Sequence, residues 1–144
     1  TNVVPGITAA LACAAAAGIP LTHRKSASAV TFLTGHTSTD GDADHDWGSL
    51  AKSGHTLAVY MGVGAAGSIA ERLIKHGMHP ATPVAIIENG TRTNQRVVGG
   101  RLDELATVIS AHGIGNPSLI IIGEVARAAK TTHLDQPVDQ ASVG

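Results

Sequence analysis

The chain has 144 residues, enough for one domain with its own hydrophobic core, and its formal net charge is −1. Charged residues make up only 15% of it and form no lysine and arginine cluster, so its electrostatics give no basis for binding nucleic acid. A single cysteine, Cys13, excludes an internal disulfide, and the apolar run at residues 9–17 is too short to span a membrane.

Helices are predicted where strong helix formers run into a glycine stop, and strands where short runs are apolar and β-branched. In chain order the predicted elements are a helix at 7–17, a strand at 28–34, a polar mobile loop at 35–46, a short helix at 47–52, a strand at 56–61, a helix at 65–76, strands at 83–87 and 96–99, a helix at 102–112 and a strand at 118–122. This alternation of strands and helices predicts a layered α/β fold.

The last predicted strand and the residues after it indicate where the domain ends. Residues 118–122 are entirely apolar, which is typical of a strand covered on both faces of its sheet. We therefore expect one domain over residues 1–130. Residues 131–144 are polar and contain Pro137, and they are expected to form a poorly ordered tail.

A glycine-rich turn offers one candidate function. Gly62, Gly64 and Gly67 form a G-x-G-x-x-G motif between a predicted strand and a predicted helix, and Glu88 ends the next strand. A dinucleotide-binding fingerprint requires this context, because its glycines approach a pyrophosphate and its acid binds the ribose. Glycine-rich turns are also common in a chain with 17 glycines, so the motif is better interpreted as a tight turn between strand and helix.

An acidic loop offers a second candidate, a metal site. Residues 40–46 contain four aspartates and one histidine. A calcium-binding loop needs Gly at its sixth position and Glu at its twelfth, and counting from Asp40 those positions hold His45 and Ala51. The loop is therefore interpreted as a solvated segment in which Asp46 caps the following helix, and no metal site is expected.

Four short segments are too irregular to be packing patterns, and each lies where a helix or strand is expected to begin or end. They are VPGITAA at 4–10, PLTHR at 20–24, YMG at 60–62 and ENGT at 88–91. Open α/β sheets place their ligand contacts at such positions. Together, and in this order, the segments closely resemble the second half of the uroporphyrinogen-III C-methyltransferases of the tetrapyrrole methylase family. The resemblance runs from about residue 3 to residue 125.

The resemblance implies a fold and an activity. The fold would be α/β, with a mixed sheet of about five strands flanked by helices, as in the C-terminal domain of a tetrapyrrole methylase. The activity would be transfer of methyl groups from S-adenosyl-L-methionine to uroporphyrinogen III, giving precorrin-2 and S-adenosyl-L-homocysteine. Siroheme or cobalamin would be the end product. A dinucleotide-binding domain of the NAD type stays open as the alternative.

The resemblance also assigns four cofactor contacts to positions in this sequence. Thr8 and Ala9, at the start of the first helix, and Met61 and Gly90, at two strand ends, match family residues that contact S-adenosyl-L-methionine. A flexible, polarizable thioether suits Met61, and the absence of a side chain lets the Gly90 backbone approach a ligand. For Thr8, a hydroxyl that caps its own helix is an equally good interpretation.

Substrate binding is assigned to Arg24 in the Thr-His-Arg segment. The substrate implied by the resemblance is rich in carboxylates, and a guanidinium binds them in a bidentate manner. A solvated surface arginine is the alternative. Lys25, Arg92 and Arg96 could assist, but the sequence gives no positional reason to prefer one of them.

The resemblance covers only the second half of the family's enzymes. The chain begins at Thr1 without a methionine, and a fragment boundary is expected there. The glycine-rich cofactor loop and the catalytic acid and base would belong to a missing N-terminal domain, so no catalytic residue is assigned here. We expect the chain alone to be inactive, to bind cofactor weakly and to form a homodimer, or to be a non-catalytic dimerisation fragment. A cytoplasmic location is expected, without membrane or nucleic-acid partners.

Overall fold

A computed structural model describes residues 1–36 and 44–132 of the chain. Helices and strands alternate along it. The elements are α1 (Ala9–Ala17), β1 (Val30–Thr34), α2 (Trp47–Lys52), β2 (Thr56–Tyr60), α3 (Ala66–Lys75), β3 (Pro83–Glu88), β4 (Arg96–Arg101), α4 (Leu105–Ala111) and β5 (Ser118–Ile122), with 3-10 turns at Leu102–Glu104 and Glu124–Ala128.

The strands form one five-stranded mixed sheet in the order β1-β2-β5-β3-β4. Strands β1 and β2 are parallel, whereas β5 runs antiparallel to both of its neighbours, β2 and β3. The hairpin partner β4 is antiparallel to β3. Because β5 is antiparallel, the C-terminal ends of β1, β2 and β3 lie in one row with the N-terminal end of β5. We call this row of strand ends the cavity edge. The expected mixed sheet of about five strands is confirmed.

Both faces of the sheet are covered, as the apolar sequence of β5 predicts. Helices α2, α3 and α4 pack on one face, where alternate strand residues such as Leu57, Val59 and Ile120 are buried. Helix α1 and the 3-10 turn after β5 cover the other face over Ala58, Ile87 and neighbouring residues. The small side chains of α1 allow close packing on the sheet, and this position brings the start of α1 to the cavity edge.

The boundaries of two helices differ from the sequence-based predictions. Helix α1 begins at Ala9 rather than at residue 7, because Thr8 is extended, with φ −62° and ψ 142°. The predicted helix 102–112 divides into a 3-10 turn and α4, and the 3-10 turn after β5 was not predicted. These turns follow the ends of strands, where backbone closure rather than hydrophobic periodicity sets the local conformation.

The acidic loop and the polar tail are only partly described. Asp46 caps α2 as expected: its carboxylate accepts hydrogen bonds from the backbone N–H and the hydroxyl of Ser49, and these bonds lower its pKa. Asp40, Asp42 and the rest of 37–43 lie outside the described residues, as do residues 133–144 of the predicted tail. Thr132, within that predicted tail, is hydrogen-bonded in both directions to the backbone of Val97. No helix in the described ranges is long and apolar enough to cross a membrane.

Candidate functional site

A cavity of about 980 Å³ lies at the cavity edge, between the strand ends and the start of α1. The residues that line it come from α1, from the segments after β1, β2 and β3, and from the segment that leads into β5. They are Ala9, Cys13, His36, Tyr60, Met61, Gly64, Ala65, Ile87, Asn89, Gly90, Thr91, Arg92, Asn116, Pro117, Ser118 and Leu119. Three of the four predicted cofactor contacts, Ala9, Met61 and Gly90, are therefore brought together around one cavity.

Met61 follows β2 directly and forms part of the cavity wall. Its backbone is left-handed, with φ 51°, and its residue surface is 60% exposed. A left-handed conformation is costly for a residue with a long side chain. The next residue, Gly62, lies so close to Gly35 that a Cβ on Gly35 would be 2.6 Å from the Gly62 Cα. The approach of these two loops fixes the position at which the Met61 side chain leaves β2.

The turn after β3 forms a second part of the wall. Asn89 and Thr91 are also left-handed, with φ 51° and 67°, and they flank Gly90. A Cβ at Gly90 would lie 2.2 Å from the Cys13 Sγ, so only glycine allows this turn to pack against α1. Backbone hydrogen bonds hold the turn: the Asn89 N–H donates to the Pro117 carbonyl at 2.9 Å, and the Arg92 N–H donates to the Asn89 carbonyl at 3.0 Å.

The start of α1 is bound to the end of β2 through Tyr60. The Tyr60 hydroxyl accepts the Ala10 N–H at 2.8 Å and shares a hydrogen bond with the Thr8 hydroxyl. Thr8 makes no side-chain cap of its own helix, so the capping interpretation of this residue is wrong in that form. Tyr60 provides the cap instead, which satisfies one of the N–H groups left unpaired at a helix start. Thr8 itself does not line the cavity.

Glu88 has a structural role, and it therefore cannot act as the ribose-binding acid of a dinucleotide fingerprint. Its carboxylate accepts the Arg96 Nε–H at 2.5 Å and the Gly115 N–H at 2.7 Å, and these bonds lower its pKa. The residue is only 7% exposed. Because both carboxylate oxygens are engaged inside the protein, Glu88 is not available to bind a ribose in the cavity.

The glycines of that motif have separate roles. A Cβ at Gly62 would lie 2.9 Å from the Val59 Cγ1 and 3.0 Å from the Ile120 Cδ1, so Gly62 is required for packing of the core. Gly64 lines the cavity, while Gly67 packs towards Ala106 on α4. The motif therefore acts as a tight turn that opens α3, which is the structural alternative considered for it above.

Arg24, the predicted substrate residue, lies apart from the cavity lining. It is exposed in the turn between α1 and β1, inside a short bridge between His23 and Ala27. The cavity contains a different arginine, Arg92, in the turn after β3. Sequence reasoning named Arg92 only as one of three possible assistants, because the fold is needed to distinguish the two positions.

Sequence reasoning also missed several other residues of the cavity. Cys13 was interpreted as a small buried residue; it is buried, which raises the pKa of its thiol, and it also lines the cavity beneath Gly90. His36, Asn116 and Ser118 were not considered. The segment 116–118 reaches the site only because β5 is antiparallel to its neighbours, and no local signal in the sequence shows that direction.

The chemistry of the cavity is that of a site for a flat, partly apolar and partly polar ligand. Met61 and Pro117 provide an exposed apolar surface, and Asn89 and Asn116 bring amide groups that can donate or accept hydrogen bonds. None of the described residues that line the cavity is an aspartate or a glutamate. In the part of the chain that the structure describes, no group of three or more His, Cys, Asp or Glu side chains could hold a metal ion.

The chain is similar in sequence to proteins of known activity. The family model of the tetrapyrrole (corrin/porphyrin) methylases matches residues 1–106, the N-terminal part of the chain, and does not extend to its C-terminal part. The siroheme synthase of Pseudoalteromonas translucida is 56% identical over 132 residues. That match covers 92% of this chain and 28% of the relative's length, so the chain spans little more than a quarter of that protein.

Solved structures show the same fold. The uroporphyrin-III C-methyltransferase of Thermus thermophilus, complexed with S-adenyl homocysteine, matches with a TM-score of 0.71 and 36% identity over 87% of this chain and 53% of its own. A cobalt precorrin-4 methyltransferase matches with a TM-score of 0.78 and 24% identity over 87% of this chain and 52% of its own, and it shows the fold alone. The predicted position of this chain in the C-terminal half of a two-domain enzyme stays a prediction.

Proposed function

Because the chain belongs to the tetrapyrrole (corrin/porphyrin) methylases, we propose that its cavity binds S-adenosyl-L-methionine and that the chain is part of a uroporphyrinogen-III C-methyltransferase. The reaction would convert uroporphyrinogen III to precorrin-2 on the route to siroheme or cobalamin. When bound, S-adenosyl-L-methionine supplies a methyl group on a sulfonium for transfer to an electron-rich pyrrole carbon. The chain's own residues would bind and orient the reactants, and such positioning contributes much of the rate of a displacement reaction.

The observation that carries this proposal is the convergence of Ala9, Met61 and Gly90 on one cavity. The residues present fit the cofactor, since the turn at Gly90 lines the cavity and the exposed side chains of Met61 and Pro117 offer it apolar surface. The left-handed backbone of Met61, Asn89 and Thr91 supports the same conclusion. Strained residues that cluster at one place point to a binding site.

We further propose that the chain supplies only one wall of the active site. It spans 53% of the Thermus thermophilus methyltransferase, and its apolar residues Val3, Val4 and Ile7 are 88%, 87% and 79% exposed just before α1. Exposed apolar residues beside a cavity are typical of a surface that another part of the protein covers. The occupant would be the other domain of the enzyme, and the chain alone would be inactive and bind the cofactor more weakly than micromolar. Homodimer formation and a cytoplasmic location remain part of this proposal.

The two methionines of the chain allow a direct test of cofactor binding. Met61 lies at the cavity, whereas Met78 is half-buried against the core on the opposite face of the sheet. With methionine labelled by 13C at its methyl group, titration with S-adenosyl-L-homocysteine should shift the NMR signal of Met61 and leave that of Met78 in place. Substitution Met61→Leu assigns the two signals, and Met78 is the internal control for nonspecific effects.

The same titration tests the alternative functions. NAD should leave both methyl signals unchanged, because Glu88 is not available for the ribose. A shift of Met61 with NAD and none with S-adenosyl-L-homocysteine would favour the dinucleotide-binding domain. A dissociation constant in the micromolar range for the homocysteine derivative would contradict the proposal that the other domain is needed for firm binding.

A further inference from the structure

Arg92 gives the cavity its electrostatic character. Among the described residues that line the cavity, it is the one that carries a permanent positive charge, and none of them is a carboxylate. Glu88, which ends β3 at this edge, is paired with Arg96. A cavity with an uncompensated cation favours a ligand that brings a negative charge, and it disfavours a purely cationic one.

The side chain of Arg92 is not engaged by any residue in the ranges 1–36 and 44–132. Three other arginines are held in ion pairs: Arg96 with Glu88, Arg101 with Asp103, and Arg127 with Glu124. In the described part of the chain, by contrast, the Arg92 guanidinium has no hydrogen-bond or ion-pair partner. No residue that the structure describes occupies its five N–H donors, and these can bind a ligand.

Hydrogen bonds within the turn fix the backbone around Arg92. The Arg92 N–H donates to the Asn89 carbonyl, the Gln95 N–H donates to the Arg92 carbonyl at 3.1 Å, and the Gln95 side-chain oxygen accepts the Thr91 N–H at 2.6 Å. Left-handed Thr91 directly precedes Arg92 in this turn. A guanidinium on a rigid turn loses less conformational entropy when it binds than one on a flexible loop.

From this placement we infer that Arg92 binds a carboxylate of a ligand held in the cavity. The inference rests on the proposed function, which supplies two sources of carboxylate: the amino-acid group of S-adenosyl-L-methionine and the side chains of the tetrapyrrole. A planar guanidinium can form two parallel hydrogen bonds to either group. Arg92 thus takes, in the cavity, the role that the family resemblance assigns to Arg24.

An active two-domain enzyme is needed to test this inference. We suggest a chimera in which the 132 matching residues of the Pseudoalteromonas translucida siroheme synthase are replaced by this chain. Methyl transfer would be measured with the chimera, with its Arg92→Gln variant and with Arg92→Lys. Arg101→Gln serves as the matched control, because Arg101 is exposed at the opposite edge of the sheet and paired with Asp103.

Two measurements show whether the carboxylate that Arg92 binds belongs to the tetrapyrrole or to the cofactor. If Arg92 binds the tetrapyrrole, Arg92→Gln should raise the KM for the tetrapyrrole by about tenfold or more, with little change in kcat. If it binds the cofactor, the variant should weaken inhibition by S-adenosyl-L-homocysteine by a similar factor, but not inhibition by its decarboxylated analogue. Arg92→Lys should lie between wild type and Arg92→Gln, since a point charge replaces the bidentate fork.

The outcomes separate the inference from the function on which it rests. An active wild-type chimera in which Arg92→Gln changes neither constant would overturn the role of Arg92 and leave the proposed function intact. An inactive wild-type chimera that folds normally would overturn the proposed function and the role of Arg92 with it. Arg92→Gln should alter these constants while its melting temperature stays equal to that of the wild-type chimera, because no described residue holds this side chain.

Discussion

The two rows of strand ends, at the cavity edge and opposite it, both contain residues with a left-handed backbone, but the residue types differ. At the edge opposite the cavity, the left-handed positions are glycines, as at Gly54 before β2 and Gly123 after β5. At the cavity edge, the left-handed positions after β2 and β3 are Met61, Asn89 and Thr91. Glycine adopts this conformation at little cost, whereas a residue with a Cβ pays roughly 1–2 kcal/mol.

This difference shows which edge is built for stability and which for binding. Strained residues persist where the surrounding structure holds them, and they concentrate at sites where their side chains have a task. At the cavity edge the β2–α3 connection packs closely against Gly35, and the backbone hydrogen bond from the Asn89 N–H to the Pro117 carbonyl holds the β3–β4 connection. The opposite edge is closed by ordinary backbone hydrogen bonds, such as that from the Gly123 N–H to the Pro83 carbonyl.

The largest effect is expected for a side chain added at Gly90. Gly90→Ala would place its Cβ 2.2 Å from the Cys13 Sγ, and overpacking of this kind should lower the free energy of unfolding by about 3 kcal/mol. Gly64→Ala is the matched control, since Gly64 also lines the cavity but a Cβ there meets nothing within 4 Å. Urea denaturation measures both changes. The double variant Cys13→Ala/Gly90→Ala should recover most of the loss, and no recovery would show that the Cys13 contact is not the cause.

The comparison between the edges is tested most directly by exchanging their residue types. Met61→Gly should raise the free energy of unfolding by about 1 kcal/mol, because it relieves a left-handed residue whose side chain is largely exposed. The same substitution should abolish detectable binding of S-adenosyl-L-homocysteine. Thermal unfolding and calorimetric titration measure the two effects.

The reciprocal substitution lies at the other edge. Gly54→Ala introduces a Cβ at φ 67° in open space, and it should lower the free energy of unfolding by about 1 kcal/mol without changing ligand binding. If Met61→Gly destabilised the protein as much as Gly54→Ala does, Met61 would not be strained. The distinction between the two edges would then be lost.

A smaller loss is expected when the link between β2 and α1 is cut. Tyr60→Phe removes the hydroxyl that accepts the Ala10 N–H and should cost about 1 kcal/mol of stability, comparable to the loss of a helix cap. Hydrogen exchange at the Ala10 amide should become faster, while amides in α3 keep their protection. A combined Thr8→Val/Tyr60→Phe variant should lose no more than Tyr60→Phe alone, and fully additive losses would contradict a shared hydrogen bond.

The smallest effect on stability is expected for Glu88, the buried acid that bonds Arg96 and Gly115 next to the cavity. Hydrogen bonds from Arg96 and Gly115 lower the pKa of Glu88 in the folded chain. Its contribution to stability is therefore fully present above the pKa of an unfolded glutamate, and it is lost as the pH falls through the lower, folded-state pKa. Glu88→Gln should reduce the melting temperature by a few degrees at pH 7, and the difference from wild type should shrink under acidic conditions. A difference that is constant with pH would exclude an ionised Glu88 as its source.

Much of the fold could be predicted because its elements obey local rules. The short apolar runs of β2 and β3 and the glycine stops after the helices place most strands and helices within two residues of their observed bounds. The order of the strands could not be predicted in this way. The insertion of β5 between β2 and β3 depends on packing across the whole sheet.

The site was predictable only where short segments carried a family resemblance. Ala9, Met61 and Gly90 lie in such segments, and the structure places all three at the cavity. Cys13 and Ser118 reach it through helix packing and strand direction, which are long-range consequences of the fold. For Arg24 and Arg92 the sequence shows two arginines after loops, and only the three-dimensional arrangement separates them.

The antiparallel strand β5 determines how far apart the ends of β2 and β3 lie at the cavity. Neighbouring strands lie about 4.8 Å apart, so the insertion of β5 holds the ends of β2 and β3 roughly 10 Å from each other. A planar ring system can enter a gap of that size edge-on, while the first residues of β5 form its base. Under the proposed function, redesign of the cavity for bulkier nucleosides should begin with Ser118 and Leu119 at its base, because the hydrogen bonds of the sheet fix the spacing of β2 and β3.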